Sequence, residues 1–180
     1  GYDMLIHDVS LDGLHVVFGI DRAGLVGADG ETHHGCFDAL YLPQVPGMTV
    51  YCPANFSELR LMLRRALYET DGPVAVRYPR GGEGAYYTGC GSDALADCLR
   101  EGTDCTVLSY GVLVNHALEA ARRLEAEGIS VRVVKLNRIA PLDGGEIAEV
   151  LRGTRRLVVL EDCLARGCVG ERVAALLAET

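Results

Sequence analysis

TVYCPANFSELRLMLRRALYETDGPVAVR, from Thr49 to Arg77, decides the fold class. Thr49–Cys52 is short, apolar and β-branched enough to predict a strand, and Val74–Arg77 predicts another. Between them, from Ser57 to Glu69, Leu59, Met62, Leu63, Ala66 and Leu67 recur at helical spacing and give one face to bury. Arg60, Arg64 and Arg65 suit the solvated side, and Ser57 is the candidate cap. A strand, a helix and a second strand in that order imply parallel pairing in a sheet covered on both faces.

The same rhythm extends in both directions. Upstream, Val16–Ile20 predicts a strand, followed by a polar, glycine-rich stretch from Asp21 to Gly35 that is too long for a tight turn. Before it, Tyr2, Leu5, Ile6 and Val9 form an apolar helical stripe with no capping residue ahead of them, so the chain is expected to begin inside a domain. Downstream, periodicity disappears from Gly81 to Thr103 while glycines cluster, which marks a linker over residues 86–103. A second series follows: strand Thr106–Ser109, helix Leu113–Glu127, strand Val131–Leu136, helix Gly145–Arg152, strand Leu157–Glu161 and a last helix Gly170–Ala178. The expectation is an α/β protein of two consecutive three-layer α/β units with mainly parallel sheets. Residues 1–85 form the first, truncated at its N-terminus, and 104–180 the second, expected to be incomplete.

Composition narrows the function classes. The 180 residues carry a net charge of −8 and a pI near 5.1, which argues against nucleic acid or an anionic membrane as partner. No stretch approaches the apolar length of a membrane span, and the N-terminus lacks the pattern of a signal peptide, so a cytoplasmic setting is expected. Seven cysteines without a Cys-x-x-Cys pair are expected to be reduced and mostly buried, with no metal site.

Two constellations could carry chemistry. Asp21-Arg22-Ala23-Gly24-Leu25-Val26-Gly27-Ala28-Asp29-Gly30-Glu31-Thr32-His33-His34-Gly35 lies directly after a strand, where open parallel sheets place their ligands. It offers an arginine for phosphate, an aspartate, and two histidines suited to proton exchange near neutral pH. The alternative is a loop whose Asp and His side chains only satisfy its own amides. Neither phosphate-loop nor dinucleotide spacing is present. The second constellation is Val74-Ala75-Val76-Arg77-Tyr78-Pro79-Arg80-Gly81, whose two arginines fall on opposite faces of an extended chain and so have different jobs, unless Pro79 turns the chain. Arg80, between a proline and a glycine, is either a phosphate clamp or a solvated surface arginine.

Together, Asp21-Arg22-Ala23-Gly24-Leu25-Val26-Gly27-Ala28-Asp29-Gly30 with Thr32-His33-His34-Gly35 and Phe37-Asp38, then Val45-Pro46-Gly47-Met48, then Val76-Arg77-Tyr78-Pro79-Arg80-Gly81, resemble the pyrimidine-binding domain of the 1-deoxy-D-xylulose-5-phosphate synthase family in the transketolase superfamily. Gly102–Leu108, Arg138-Ile139-Ala140-Pro141-Leu142-Asp143 and Leu160-Glu161-Asp162 look like the C-terminal domain of transketolase-type enzymes, less specifically. The resemblance covers nearly the whole chain. It departs at Tyr51-Cys52-Pro53-Ala54-Asn55-Phe56 and at Ala165-Arg166-Gly167-Cys168.

The resemblance implies condensation of pyruvate with glyceraldehyde 3-phosphate, with loss of carbon dioxide, on thiamine diphosphate and Mg2+. By motif, His33 and Asp29 are the catalytic candidates. Arg22 and Arg80 are the phosphate-binding ones, with His34 second to His33. The cofactor-binding residues are not identifiable here: the diphosphate and Mg2+ motif, the activating glutamate and the ring-packing aromatic residue belong upstream in the family. Alone, the chain is expected to be inactive. It is expected to act as a homodimer, or with a partner chain carrying the N-terminal cofactor-binding domain. The rival readings are a split transketolase-like subunit and a non-catalytic module that binds a phosphorylated metabolite or another protein.

Overall fold

The computed structural model describes residues 1–180. The apolar stripe at the start forms α1, Tyr2–Met4, which runs into a π-helical turn over Leu5–Ser10 with no side-chain cap. Leu5 and Ile6 pack against the core. The remaining elements of the first part are β1 (Val17–Ile20), α2 (Asp38–Tyr41), β2 (Thr49–Tyr51), α3 (Phe56–Tyr68) and β3 (Val74–Arg77). The second part contains β4 (Ala96–Arg100), β5 (Cys105–Tyr110), α4 (Val114–Glu125), β6 (Val131–Leu136), β7 (Arg138–Ala140), α5 (Gly144–Val150), β8 (Leu157–Leu160) and α6 (Val169–Glu179). No helix is long and apolar enough to cross a membrane.

Two four-stranded sheets result, ordered β1-β3-β2-β7 and β4-β6-β5-β8. Each is parallel except for one antiparallel edge strand: β7 beside β2, and β4 beside β6. Both edge strands depart from the sequence reading. β4 lies inside the stretch expected to be linker, and β7 leaves the second part to join the first sheet, pairing Val50 with Ala140. A three-residue strand has no periodicity to read, and only its partner defines it.

The core ignores the expected division. A single cluster of 18 buried residues joins Val50, Cys52 and Ala75 of the first sheet to Leu108, Val134 and Leu136 of the second, with Ile139 of β7 and Val169 and Val173 of α6. Burying each such aliphatic side chain stabilises the fold by about 1.5–3 kcal/mol.

Two local expectations need correction. The cap of α3 is Asn55, not Ser57: its Oδ1 accepts the Glu58 N–H at 2.9 Å, while Glu58 Oε2 accepts the Ala54 N–H at 2.8 Å. Arg65 is not on a solvated face. Its side chain is 11% exposed, donates to the Ser92 carbonyl and pairs with Asp93, whereas Leu67 is turned outward. The cysteines are all free as thiols, yet only Cys52 and Cys168 are buried, and Cys90 and Cys98 are exposed.

A second correction concerns the helix face itself. Glu58, Met62 and Ala66 are all fully buried, so the face that α3 turns inward includes a carboxylate. Its partner is Lys135 of β6, 2.9 Å away, and neither side chain is exposed. Tyr87 donates its hydroxyl to Glu58 at 2.7 Å, and Asn137 accepts from Lys135. Gly91 closes over this group so tightly that a Cβ there would lie 2.5 Å from Asn137 and 2.9 Å from Glu58.

Candidate active site

The loop Asp21–Gly35 emerges from the carboxyl end of β1 and is closed at its neck. Gly24 N–H donates to the Gly35 carbonyl at 3.0 Å, Gly35 N–H reaches the Arg22 and Gly24 carbonyls, and Ala23 N–H bonds Tyr78. These bonds satisfy the backbone and leave side chains free to project. Arg22 holds a φ of +57°, a conformation that side-chain-bearing residues avoid. Its guanidinium spans Asp21, at 2.5 Å, and Asp29 Oδ2, at 2.7 Å.

Asp29 is the hub of the loop. Its second oxygen pairs with Arg80, so the two arginines singled out as phosphate-binding candidates converge on one carboxylate from the loop and from the turn after β3. Partial shielding from solvent would raise the Asp29 pKa. The Arg22 hydrogen bond and the Arg80 charge outweigh it and hold the group below the usual aspartate range.

The two histidines are placed differently. His33 is exposed and meets only Thr32 Oγ1, at 2.8 Å. His34 is half-buried, and its Nδ1 accepts the Val26 N–H at 2.9 Å. With Nδ1 an acceptor, neutral His34 carries its proton on Nε2, where the ring can donate outward. His33, His34 and Arg22 line a common concavity of about 310 Å3 with Phe37, Asp38 and Tyr41. Asp29 and Arg80 stand outside this concavity, joined to it through Arg22.

Below the loop lies an anchor that the sequence reading missed. Arg77, 3% exposed, donates from Nε to Asp38 at 2.9 Å, and from Nη2 to the Gly35 carbonyl at 2.9 Å and to Asp162 at 3.2 Å. Burial opposes its charge, while Asp38 and Asp162 favour it and prevail. Arg77 and Arg80 thus do different work, though not as opposite faces of one strand: β3 ends at Arg77, which is structural, and Arg80 lies in the bend after Pro79, facing the loop. Gly24, with φ +76°, sits against Asp162 so closely that a Cβ would fall within 1.9 Å of its carboxylate. The signals available were Asp38 after the two histidines and the Glu161-Asp162 pair at the end of β8. Beside them, Glu161 accepts the Val169 and Gly170 N–H groups that open α6, at 3.0 and 2.8 Å, and the Tyr110 hydroxyl at 3.0 Å.

The fit to thiamine diphosphate and Mg2+ is partial at most. No three His, Cys, Asp or Glu side chains converge to hold a metal ion. The residues of this chain therefore do not make the Mg2+ site through which the diphosphate would be held.

The chain, two α/β units with a polar loop at the carboxyl end of the first sheet, belongs to the transketolase family. Residues 1–82 match the transketolase pyrimidine binding domain and residues 94–180 the transketolase C-terminal domain. The curated relatives are 1-deoxy-D-xylulose-5-phosphate synthases. That of Chlorobium phaeovibrioides is 47% identical over 98% of this chain and 28% of that protein. That of Geobacter metallireducens, synthase 1, is 44% identical over 99% of this chain and 29% of that protein. The chain thus spans under a third of the length of the curated relatives it matches. A solved structure described as a split gene transketolase, inactive beta4 tetramer, superposes with a TM-score of 0.87 at 30% identity, covering 99% of this chain and 57% of that one.

Proposed function

We propose that the chain is the acceptor-side part of a thiamine-diphosphate-dependent synthase joining pyruvate to glyceraldehyde 3-phosphate, with loss of carbon dioxide, to give 1-deoxy-D-xylulose 5-phosphate. The observation that carries this reading is the convergence of Arg22 and Arg80 on Asp29, with Arg22 also lining the concavity of His33 and His34, in a chain similar to such synthases over almost all its length.

In this reading Arg22 and Arg80 hold the acceptor's phosphate, whose oxygens compete with Asp29 for both guanidinium groups. Release from that pairing leaves Asp29 to arrange the pocket. His33, exposed at the surface, acts near the reacting atoms as proton donor or hydrogen-bond partner, and His34 supports it from a fixed ring orientation. Thiamine diphosphate supplies the carbanion chemistry when bound. The groups that hold its diphosphate and Mg2+ come from an N-terminal cofactor-binding domain, on the same polypeptide or on a partner. Residues 1–85 are then the C-terminal portion of a pyrimidine-binding domain and 104–180 a C-terminal domain. Residues 86–103 connect the two and contribute β4. The reading places the work in the cytoplasm, on small-molecule substrates, in a homodimer or a complex of chains.

The test is carbon dioxide release and deoxyxylulose phosphate formation from the two substrates with cofactor and Mg2+, for the chain alone and beside a family N-terminal fragment. Activity only with the fragment is expected, and its loss in Arg22→Ala/Arg80→Ala with a raised KM for the aldehyde would support the phosphate role. Activity of the chain alone would overturn the need for a partner, and silence with a folded fragment present would overturn the synthase reading. A split transketolase-like subunit is the second reading, favoured by the likeness to the split-gene structure. Activity on transketolase donors, and none on pyruvate, would select it.

A further inference from the structure

The carboxyl ends of the parallel strands β5, β6 and β8 face the first unit through Tyr110, Glu161 and Asp162, and their amino ends face away. At that far end lies a cavity of about 520 Å3 walled by Arg132, Arg152 and Arg155, with Glu101, Thr103 and Thr154 between them. Cys105 is the single apolar side chain in the wall. Such a lining does not suit an apolar ligand, and the size suits a metabolite.

Its charges are under-compensated. Arg132 stands on β6 opposite Thr106 of β5, and its Nε is buried without a hydrogen-bond partner. Glu101 comes no nearer to it than 3.9 Å and is itself mostly exposed. Arg152 meets Glu149, which is not part of the wall, and Arg155 pairs with no carboxylate. In a chain of net charge −8, three guanidinium groups set against Glu101 in the wall and Glu149 beside Arg152 still leave this polar concavity with a net positive charge.

We infer that this cavity is an anion-binding site for a small phosphate-bearing molecule with more than one negative charge, separate from the loop site at the other end of the strands. Arg152 and Arg155 supply exposed donors at its mouth, and Arg132 supplies the inner one. The planar fork of arginine matches a phosphoryl group with two parallel hydrogen bonds.

Isothermal titration of the 180-residue chain with inorganic pyrophosphate at low ionic strength tests the site, with inorganic phosphate in parallel. Saturable binding is expected at the cavity, tighter for pyrophosphate, and any second event at the loop is identified by its loss in Arg22→Ala/Arg80→Ala. Arg152→Ala/Arg155→Ala, which alters only exposed side chains, should weaken it by about tenfold or more. Arg22→Ala/Arg80→Ala, far from the cavity, should leave it within about twofold. Absence of binding to the unmodified chain, binding that survives Arg152→Ala/Arg155→Ala, or loss confined to Arg22→Ala/Arg80→Ala would each overturn the assignment. None of these results bears on the synthase reading, which is decided by turnover.

Discussion

Glu58 on α3 and Lys135 on β6 meet at 2.9 Å with no exposure of either side chain, and so fasten the first unit to the second by a fully buried ion pair. Removing one partner of such a pair strands the other charge out of water. Lys135→Met is expected to destabilise the chain by about 3–5 kcal/mol, read from urea unfolding. Glu58→Leu/Lys135→Met should recover only part of that loss, because it removes the stranded charge but leaves the Tyr87 hydroxyl, the Ala54 N–H and the Asn137 side-chain oxygen without the partners they have now.

Asp162 reaches across the units to Arg77 and backs onto Gly24. Asp162→Ala should therefore loosen the neck of the Asp21–Gly35 loop while sparing the sheets. Amide exchange at Gly24 and Gly35 should accelerate well before that of β5 and β6, with a global loss of about 1.5–3 kcal/mol for the missing charged hydrogen bond. Uniform acceleration across both sheets would show that the anchor serves the whole fold instead.

Acid should expose the role of Glu161. Burial pushes this carboxyl up, but hydrogen bonds from Cys163, the Gly170 amide and Tyr110 outweigh it and hold the group below 4.5, the ordinary glutamate value. A carboxylate with a depressed folded pKa stabilises the fold above its unfolded value and ceases to do so as pH falls through the folded one. Tm should therefore drop below pH 4.5, where the unfolded chain begins to take up a proton that the folded one refuses. Glu161→Gln should start lower at neutral pH and fall less steeply in acid, Asp29 and Asp97 accounting for the slope that remains.

Thiol reactivity should divide the cysteines. Burial pushes Cys52 up to about 12, and burial with the Glu161 carboxylate does the same to Cys163. Brief iodoacetamide treatment at pH 7.5 followed by mass spectrometry should label exposed Cys90 and Cys98 first, leaving Cys52 and Cys163 unmodified. Early labelling of Cys163 would indicate that the Glu161 contact opens in solution.

Legibility followed the range of the interactions involved. Val131–Leu136 formed within its expected bounds because three valines and a leucine in six residues, between Ser130 and Asn137, are a local signal, and the place of the site loop followed from the strand before it. What set Asn55 above Ser57 as the cap was the reach of Glu58, a residue whose burial could be suspected only from its four-residue spacing to Met62 and Ala66. Lys135, on the same strand face as Val131 and Val133, carried a similar warning. The fixing of His34 rather than His33 by the backbone was not legible, since it depends on how Gly24 and Gly35 close the loop. Arg77 as an internal anchor needed Asp162, which arrives from the other unit.

The pairing of Val50 with Ala140 also has a consequence for how the protein is made. Translation delivers β1, β2 and β3 long before β7, so a nascent chain that has left the ribosome as far as residue 85 presents β2 as a bare edge open to any passing strand. The first sheet is finished only when most of the second unit has been synthesised. Its assembly is thus timed by the synthesis of the other unit.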